Sequence, residues 1–339
     1  MFSRRDFLQS LALMTSGLLV APNCAGTSPA ASTDRWGKVL PKRKLGKSGA
    51  EVTMLGVGGY HVGWTTEKEA QEVIETAMEQ GIRFFDSAYS YGQDGMSEKR
   101  CGRYLIPKYR DQVFIMSKST ATDYAGARRE LEESLRRYGV DTLDLWQTHA
   151  LSSPVDTDAR INNGVLRLIE DAKKEGKITY AGFTGHANPY AHARMLEQAG
   201  SSGLFTTVQM PINPVDAAAE HSFIRTVLAR AVDLGLGVLA MKTLADGRFF
   251  KEKKVLGEQV WQTDDPIVPD ETSLQDVIHF AWSMPISTLI TGAENTAYLT
   301  EKVAFAHNFT AMSADQRTQL VERMTAFAEK GQVEYYKTV

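Results

Sequence analysis

The stretch Ile82-Arg83-Phe84-Phe85-Asp86-Ser87-Ala88-Tyr89-Ser90-Tyr91-Gly92 decides how the chain is read. Ile82 and the two phenylalanines read as the end of a short buried strand. The chain then leaves into a loop of small and turn-forming residues, which puts one carboxylate and two phenols beside the strand's C-terminal end. In a barrel of alternating strands and helices, that end carries the chemistry. Asp86 and Tyr91 stand five residues apart, so a strand end and its loop can hold both in one pocket.

Outward from this stretch the same alternation recurs. Upstream, Glu67–Gln80 carries Ala70, Val73, Ile74 and Ala77 at helical spacing and stops at Gly81. Before it, Met54-Leu55-Gly56-Val57-Gly58-Gly59 reads as a first strand whose terminal Gly58 and Gly59 let a backbone approach a ligand. Arg43–Thr53 reads as a β-hairpin. Downstream, strands are expected at Val113–Met116, Leu143–Trp146, Ile178–Phe183, Thr206–Gln209, Gly237–Met241 and Ser287–Thr291. The helices between them are expected at Ser97–Leu105, Ala125–Tyr138, Ile161–Glu175, Tyr190–Gln198, Ser222–Leu234 and Ser273–Ser283, with Ala297–Ala306 closing the series. Eight strands in such an alternation predict an α/β fold of the closed TIM (β/α)8 type, because open doubly wound sheets usually have fewer strands. The N-terminal β-hairpin precedes the barrel, and an extra C-terminal helix, Ala314–Lys330, packs outside it. Residues 242–271 form the longest connection, with Phe249, Phe250 and Trp261, and read as a lid or binding loop.

The chain has 339 residues, 43% hydrophobic and 23% charged, as expected of a soluble globular protein large enough for one barrel. A net charge of −3 argues against nucleic acid or an anionic membrane as partner. The first residues are of another kind. Ser3-Arg4-Arg5-Asp6-Phe7-Leu8 precedes a short apolar run that ends in small residues and Pro29. That order describes a signal peptide, too short to span a bilayer stably, and the paired arginines look like a twin-arginine (Tat) export signal. The expected division is a signal peptide over 1–30, cleaved near Ala30, a linker over 31–41 and one domain over 42–339. It implies the twin-arginine export machinery as a partner and the periplasm as destination. That route carries folded proteins, which hints at a cofactor acquired before export. Cys101 is then the one cysteine of the mature chain, and two cysteines in all neither hold a four-cysteine cluster nor suggest another metal site.

Lys118 and His149 follow the third and fourth strands, so Asp86, Tyr91, Lys118 and His149 lie at the mouths of three consecutive strands. Adjacent strands run about 4.8 Å apart, and long side chains from these positions can converge. Singly, each has a plain reading as turn residue, core aromatic, solvated charge or core histidine. Together they suit one chemistry. A phenol has a pKa near 10, which a neighbouring ammonium lowers; an aspartate keeps that lysine charged, and a neutral histidine donates to a carbonyl oxygen. The set makes a general acid for oxygen gaining negative charge. Reducing a carbonyl also needs a hydride, which calls for a nicotinamide cofactor.

Along residues 42–306 the chain resembles the aldo-keto reductases. The carriers are Arg43-Lys44-Leu45-Gly46-Lys47-Ser48-Gly49, the Asp86…Tyr91-Gly92 loop, Ser97-Glu98, Lys118 and Asp141-x-Leu143-Asp144-Leu145-x-x-x-His149. The resemblance implies Tyr91 as proton donor, Lys118 and Asp86 as its tuning pair, and His149 as the group that orients substrate. On the cofactor side it implies Gln209 and, in place of the family's Ser-Asn, Thr184-Gly185 at the carboxamide. Met241 falls where an aromatic stacks on the nicotinamide, and Lys242 follows. Thr291, Gly292 and Ala293 lead into the last helix, where the backbone N–H groups of Gly292 and Ala293 could face an anion. Glu294 stands where many members carry a cation for the 2′-phosphate; Lys302 or His307 could make up the charge. The cofactor is therefore NADP or NAD, tightly bound if it is to be recycled outside the cytoplasm. Tyr60, Trp64 and Phe249 are expected to wall the substrate pocket, with Trp146 also suggesting a sugar or aromatic carbonyl. The expected activity is interconversion of a carbonyl and an alcohol by a monomer. An exported nucleotide-binding sensor or accessory subunit with little turnover is the alternative, and a carbohydrate-binding barrel a third reading.

Overall fold

The structure, a computed structural model, describes residues 32–255 and 258–339. The expected signal peptide lies outside the described residues. Two hairpins open the chain, β1 (Ser32–Asp34) with β2 (Gly37–Val39), and β3 (Lys42–Lys44) with β4 (Glu51–Thr53). The barrel follows: β5 (Leu55–Gly58), β6 (Phe84–Asp86), β7 (Phe114–Ser119), β8 (Leu143–Thr148), β9 (Ile178–Thr184), β10 (Thr207–Pro211) and β11 (Gly237–Met241). A further hairpin, β12 (Glu252–Val255) with β13 (Glu258–Gln262), intervenes before the last barrel strand, β14 (Thr288–Gly292). The eight barrel strands close as β10-β11-β14-β5-β6-β7-β8-β9, every neighbour parallel.

The two-residue period of a strand explains how the interior is filled. Phe84 on β6, Met116 on β7, Leu145 on β8, Leu239 on β11 and Ile290 on β14 share one apolar cluster, plugged from below by Leu45 and Val52 of the β3–β4 hairpin. Phe84, Phe114 and Tyr180 stack in a row within it, at 5.2 and 6.2 Å between rings. Two residues further along the same strands, the same inward parity carries Asp86, Lys118 and Gln147. An apolar floor thus passes into a polar mouth within two residues. The alternate positions, Phe85, Ile115 and Trp146, point outward into the larger cluster between strands and helices.

Helix boundaries differ from expectation at four places, and the helix expected over Ile161–Glu175 is two, Pro154–Asn162 and Val165–Lys174. The helix expected over Ser97–Leu105 begins at Met96 and loosens into a π-turn at Cys101–Leu105. That expected over Ser222–Leu234 also contains a π-turn, Ile224–Leu228. The C-terminal helix breaks at Met324 into Ala314–Arg323 and Thr325–Lys330.

Residues 32–39 are also no bare linker, since they fold as the β1–β2 hairpin. Asp34 receives Arg83 in a two-point pair, Nε to Oδ2 at 2.6 Å and Nη2 to Oδ1 at 3.0 Å. Arg83 spends its third nitrogen on the carbonyls of Met78 and Ile82, at 2.7 and 2.9 Å. Polar residues in a short run look like a linker, but a buried guanidinium needs a carboxylate, and the hairpin supplies it. Removing one member leaves a buried charge unpaired. Asp34→Ala should therefore lower unfolding stability by about 3 kcal/mol in urea titration, with turnover unchanged because the hairpin lies at the far end of the barrel.

Candidate active site

Asp86 ends β6, which makes two parallel register pairs with β5, Gly58 opposite Asp86 among them. Its carboxylate and the Lys118 ammonium are both buried, with side chains 2% and 1% exposed. Lys118 Nζ donates to Asp86 Oδ1 at 2.8 Å and to the Ser87 carbonyl at 2.7 Å. Its approach to Tyr91 Oη is longer, 3.4 Å, and it lies 4.6 Å from the centre of that ring. Tyr91 meets the His149 ring edge-on at 5.7 Å. The four residues expected to converge do converge.

Their electrostatics depart from expectation in one respect. Burial, with smaller contributions from Asp86 and Tyr60, pushes the Tyr91 phenol well above its ordinary pKa rather than below it. The distances are consistent with this: the Asp86 carboxylate, 2.8 Å from the ammonium, offsets part of its charge, and from 3.4 Å the remainder does not outweigh the cost of burying a phenolate. Burial likewise pulls the Lys118 pKa down, and Asp86 pulls it back up. His149 is held neutral, its pKa driven well below the usual histidine range by burial first and then by Lys118, His186 and Arg160. At neutral pH the site holds a protonated phenol beside a neutral imidazole.

A scaffold the sequence reading had only partly named holds the loop that carries Tyr91. Glu98 accepts from Ser117 Oγ at 2.5 Å and from Arg137 Nη1 at 3.0 Å. The same Arg137 nitrogen reaches the Tyr89 carbonyl at 2.9 Å, and the guanidinium lies 4.4 Å from the Tyr89 ring centre. Ser87 and Ser97 hydroxyls join at 2.8 Å. Arg137 belongs to a helix whose charges look like a solvated face, and nothing in the spacing marks it. Arg160 ties His149 in place by donating to its carbonyl at 3.1 Å, and to those of Thr120 and Ala121.

The residues expected at a cofactor fall around the ends of β9, β10, β11 and β14. Gln209 donates its amide to Asp86 Oδ2 at 3.2 Å, which leaves its Oε1 buried without a partner. Thr184 is buried beside Met241, hydroxyl to sulfur 4.0 Å. Lys242, at φ 52°, faces Asp246 at 3.5 Å. At the end of β14, a Cβ on Gly292 would overlap the His61 ring; His61 Nε2 in turn pairs with Glu294 at 3.5 Å. Lys302 is buried at this corner, and its ammonium donates to the Gly292 carbonyl at 2.7 Å. His307 ends the helix Thr296–His307 whose start follows Glu294, and so lies at its other end. Gly58 and Gly59 serve packing: a Cβ on Gly59 would overlap the Asp86 carbonyl, and one on Gly58 would crowd Thr291.

Of the four aromatic residues expected near the pocket, two lie exposed at the mouth and two are buried in the core. Tyr60 and Trp64 are exposed, 48% and 46%, with Tyr60 edge-on to Tyr91 at 5.7 Å. Phe249 is fully buried in the outer core, its carbonyl bonded by the Val268 amide. Trp146 is buried there too, because it alternates with the inward-facing Leu145 and Gln147 on β8 and so turns away from the mouth. Among the described residues no cluster of metal-ligating side chains occurs, and no helix is long and apolar enough to cross a membrane.

The family model described as the Aldo/keto reductase family matches residues 54–275. A 6-dehydroglucose reductase of Novosphingobium aromaticivorans is 27% identical over 71% of this chain and 81% of its own length. An uncharacterized oxidoreductase of Bacillus subtilis is 30% identical over 60% of this chain, which spans 66% of that protein, just under two thirds. Among solved structures, the holo form of an aldo-keto reductase from Bacillus halodurans superposes with a TM-score of 0.69 over 84% of this chain and 96% of its own. At 20% identity that last likeness concerns the fold.

Burial holds His186 and His192 at pKa values of about 4, against about 6.5 for a free histidine. Both are therefore neutral in the folded protein at pH 5–6, whereas the unfolded chain takes up protons there. Folding stability should fall as pH drops from 6.5 towards 4, by up to about 1.4 kcal/mol per pH unit for each ring. Histidine ring NMR should show neither of them, nor His149, titrating between pH 5.5 and 8.

Proposed function

The chain belongs to the aldo/keto reductase family, and on that premise we propose that it is a nicotinamide-dependent reductase of a small carbonyl compound, with Tyr91 as general acid and base. The observation that carries this reading is the buried Lys118–Asp86 pair with a protonated phenol and a neutral imidazole at its outer edge. His149 donates a hydrogen bond to the substrate oxygen and orients it. Tyr91 gives that oxygen its proton as negative charge develops there, and takes it back in the reverse direction. Lys118, fixed by Asp86 and Ser87, stabilises the phenolate left behind. Bound at the mouth, the dinucleotide would supply the hydride.

The residues around β9–β11 fit a nicotinamide carboxamide. Gln209 Oε1 is a buried acceptor with no donor of its own, and such a group costs free energy unless something completes it. Thr184 offers a hydroxyl, and Met241 a polarizable face for a ring. At the other end, His61 holds the Glu294 carboxylate below the ordinary carboxylate range, so it is ionised at neutral pH. An ionised carboxylate repels a 2′-phosphate and accepts ribose hydroxyls, which favours NAD over NADP. The exposed Tyr60 and Trp64 give flat apolar surfaces beside the acid; together with a relative named for a dehydroglucose, they support a sugar-like carbonyl substrate. Export by the twin-arginine machinery to the periplasm belongs to the same proposal and rests on the Arg4-Arg5 sequence.

Tyr91→Phe should lower turnover by about 10²–10⁴ while dinucleotide affinity, read by fluorescence titration, stays within a few-fold. Because the phenol is held above its ordinary pKa, reduction by the native protein should show no alkaline decline below about pH 10. Native turnover retained in the Phe variant would remove the proton-transfer role. The compartment and the cofactor are tested together by isolating the protein from periplasm with its leader intact and identifying the nucleotide released on denaturation. NAD is expected; NADP alone would overturn the Glu294 argument, and protein confined to the cytoplasm the export reading.

A further inference from the structure

The residues after the last helix do more than end the chain. Past Gly331 the backbone returns to the mouth of the barrel with Val333, Glu334 and Tyr336 buried and Tyr335 between them exposed. Glu334 Oε1 accepts from Asn213 Nδ2 at 3.0 Å and from Tyr336 Oη at 2.7 Å. Lys337 Nζ bridges two buried carboxylates, Glu334 at 2.5 Å and Asp216 at 2.6 Å. The Thr338 amide donates to the Ala187 carbonyl at 2.9 Å. On the outer edge, Tyr335 Oη donates to Asp246 at 2.6 Å, and Arg248 lies 3.7 Å over the Tyr335 ring and donates to Gln332 O at 3.0 Å. Tyr336 meets the His186 ring edge-on at 5.3 Å and stands 5.4 Å from Lys242 Nζ.

The anchors follow a pattern. His186 and Ala187 come just after β9, Asn213 and Asp216 just after β10, Lys242, Asp246 and Arg248 just after β11. Thr184, Gln209 and Met241, the residues that fit the carboxamide, lie at or near the ends of the same three strands. The segment is therefore anchored to the loops that follow the same three strand ends. Its chemistry is unusual for a piece that only completes a fold. Apolar packing would hold a tail at lower cost than two desolvated carboxylates and an ammonium, since a buried ionic network gains little over well-packed hydrophobic residues. Such a network instead gives one fixed docked geometry, and its charges become well solvated once the segment lifts off.

On the dinucleotide reading above, we infer that residues Gln332–Thr338 form a latch over the cofactor site, with Glu334, Tyr336 and Lys337 as its positioning residues. Docked, the latch walls the nicotinamide pocket along β9–β11 and holds the nucleotide; release requires it to lift. By linkage, bound nucleotide in turn holds the latch down.

The test compares the full chain with a chain ending at Gly331 and with the double variant Glu334→Gln, Lys337→Met. Release of NADH is followed by stopped-flow fluorescence and folding by far-UV circular dichroism. Release at least tenfold faster from folded variants is the expected result. Native release rates in either folded variant overturn the latch; should the shortened chain not fold, the double variant decides alone. Carboxypeptidase removal of the last residues from the native protein gives an independent readout, expected to slow at saturating NADH; equal rates with and without NADH overturn the latch. A native protein that binds neither NADH nor NADPH would overturn the dinucleotide reading and the latch with it, whereas binding with unchanged release removes the latch alone.

Discussion

The buried ion pair between Lys118 and Asp86 is the constraint on which the rest of this site depends. An ammonium taken out of water on that scale is expensive, and a single partner rarely offsets the loss. Here the compensation is complete in geometry: Asp86 Oδ1 and the Ser87 carbonyl accept from the lysine, while Asp86 Oδ2 takes the Gln209 amide. Neither charge has freedom left. The pair adds little to stability beyond what apolar residues would, but it fixes a positive charge at the foot of Tyr91. The loop after β6 then has one way to run, pinned by the Lys118 contact with the Ser87 carbonyl and by the Glu98–Arg137 pair.

This arrangement explains why the phenol is an acid rather than a preformed phenolate. A lysine 3.4 Å away would lower the phenol's pKa if its charge were free. Asp86 offsets much of that charge, so burial dominates and the proton stays on Tyr91 at neutral pH. The lysine still lowers the free energy of a phenolate here, and without it burial would hold the proton more tightly still. Residue types give the sign of the lysine's effect but not whether burial outweighs it.

The barrel was legible because its two determinants are local. A strand's two-residue period and a helix's capping and glycine stops depend on neighbours in the chain, and eight repetitions leave one closed architecture. The four catalytic-type residues were legible for the same reason, each standing at a strand end. What the sequence did not disclose depends on partners far along the chain. Arg137 looks like one more solvated cation until Glu98 and the Tyr89 carbonyl are brought to it. Asp34 looks like linker until Arg83 is buried beneath it. Trp146 and Phe249 looked like pocket walls because aromatic residues near a mouth invite that reading. Parity settles the first, which shares the outward face of β8, and the second is buried below the loop that carries it. Position on a strand outranks residue type.

The end of β14 shows how a single departure propagates through a site. With Glu294 where a cation is usual, the surroundings differ as well: His61 moves into contact with that carboxylate and lies against Gly292, which has no Cβ to exclude it. Lys302, the nearest alternative cation, is drawn under the loop to the Gly292 carbonyl, where burial lowers its pKa to about 8. Each move follows from the one before. A carboxylate needs a donor, the imidazole supplies it, and the lysine satisfies a carbonyl rather than a phosphate. The corner is organised around a negative charge of the protein's own. A ligand with hydroxyls can share that charge; a ligand bringing two more negative charges must displace it.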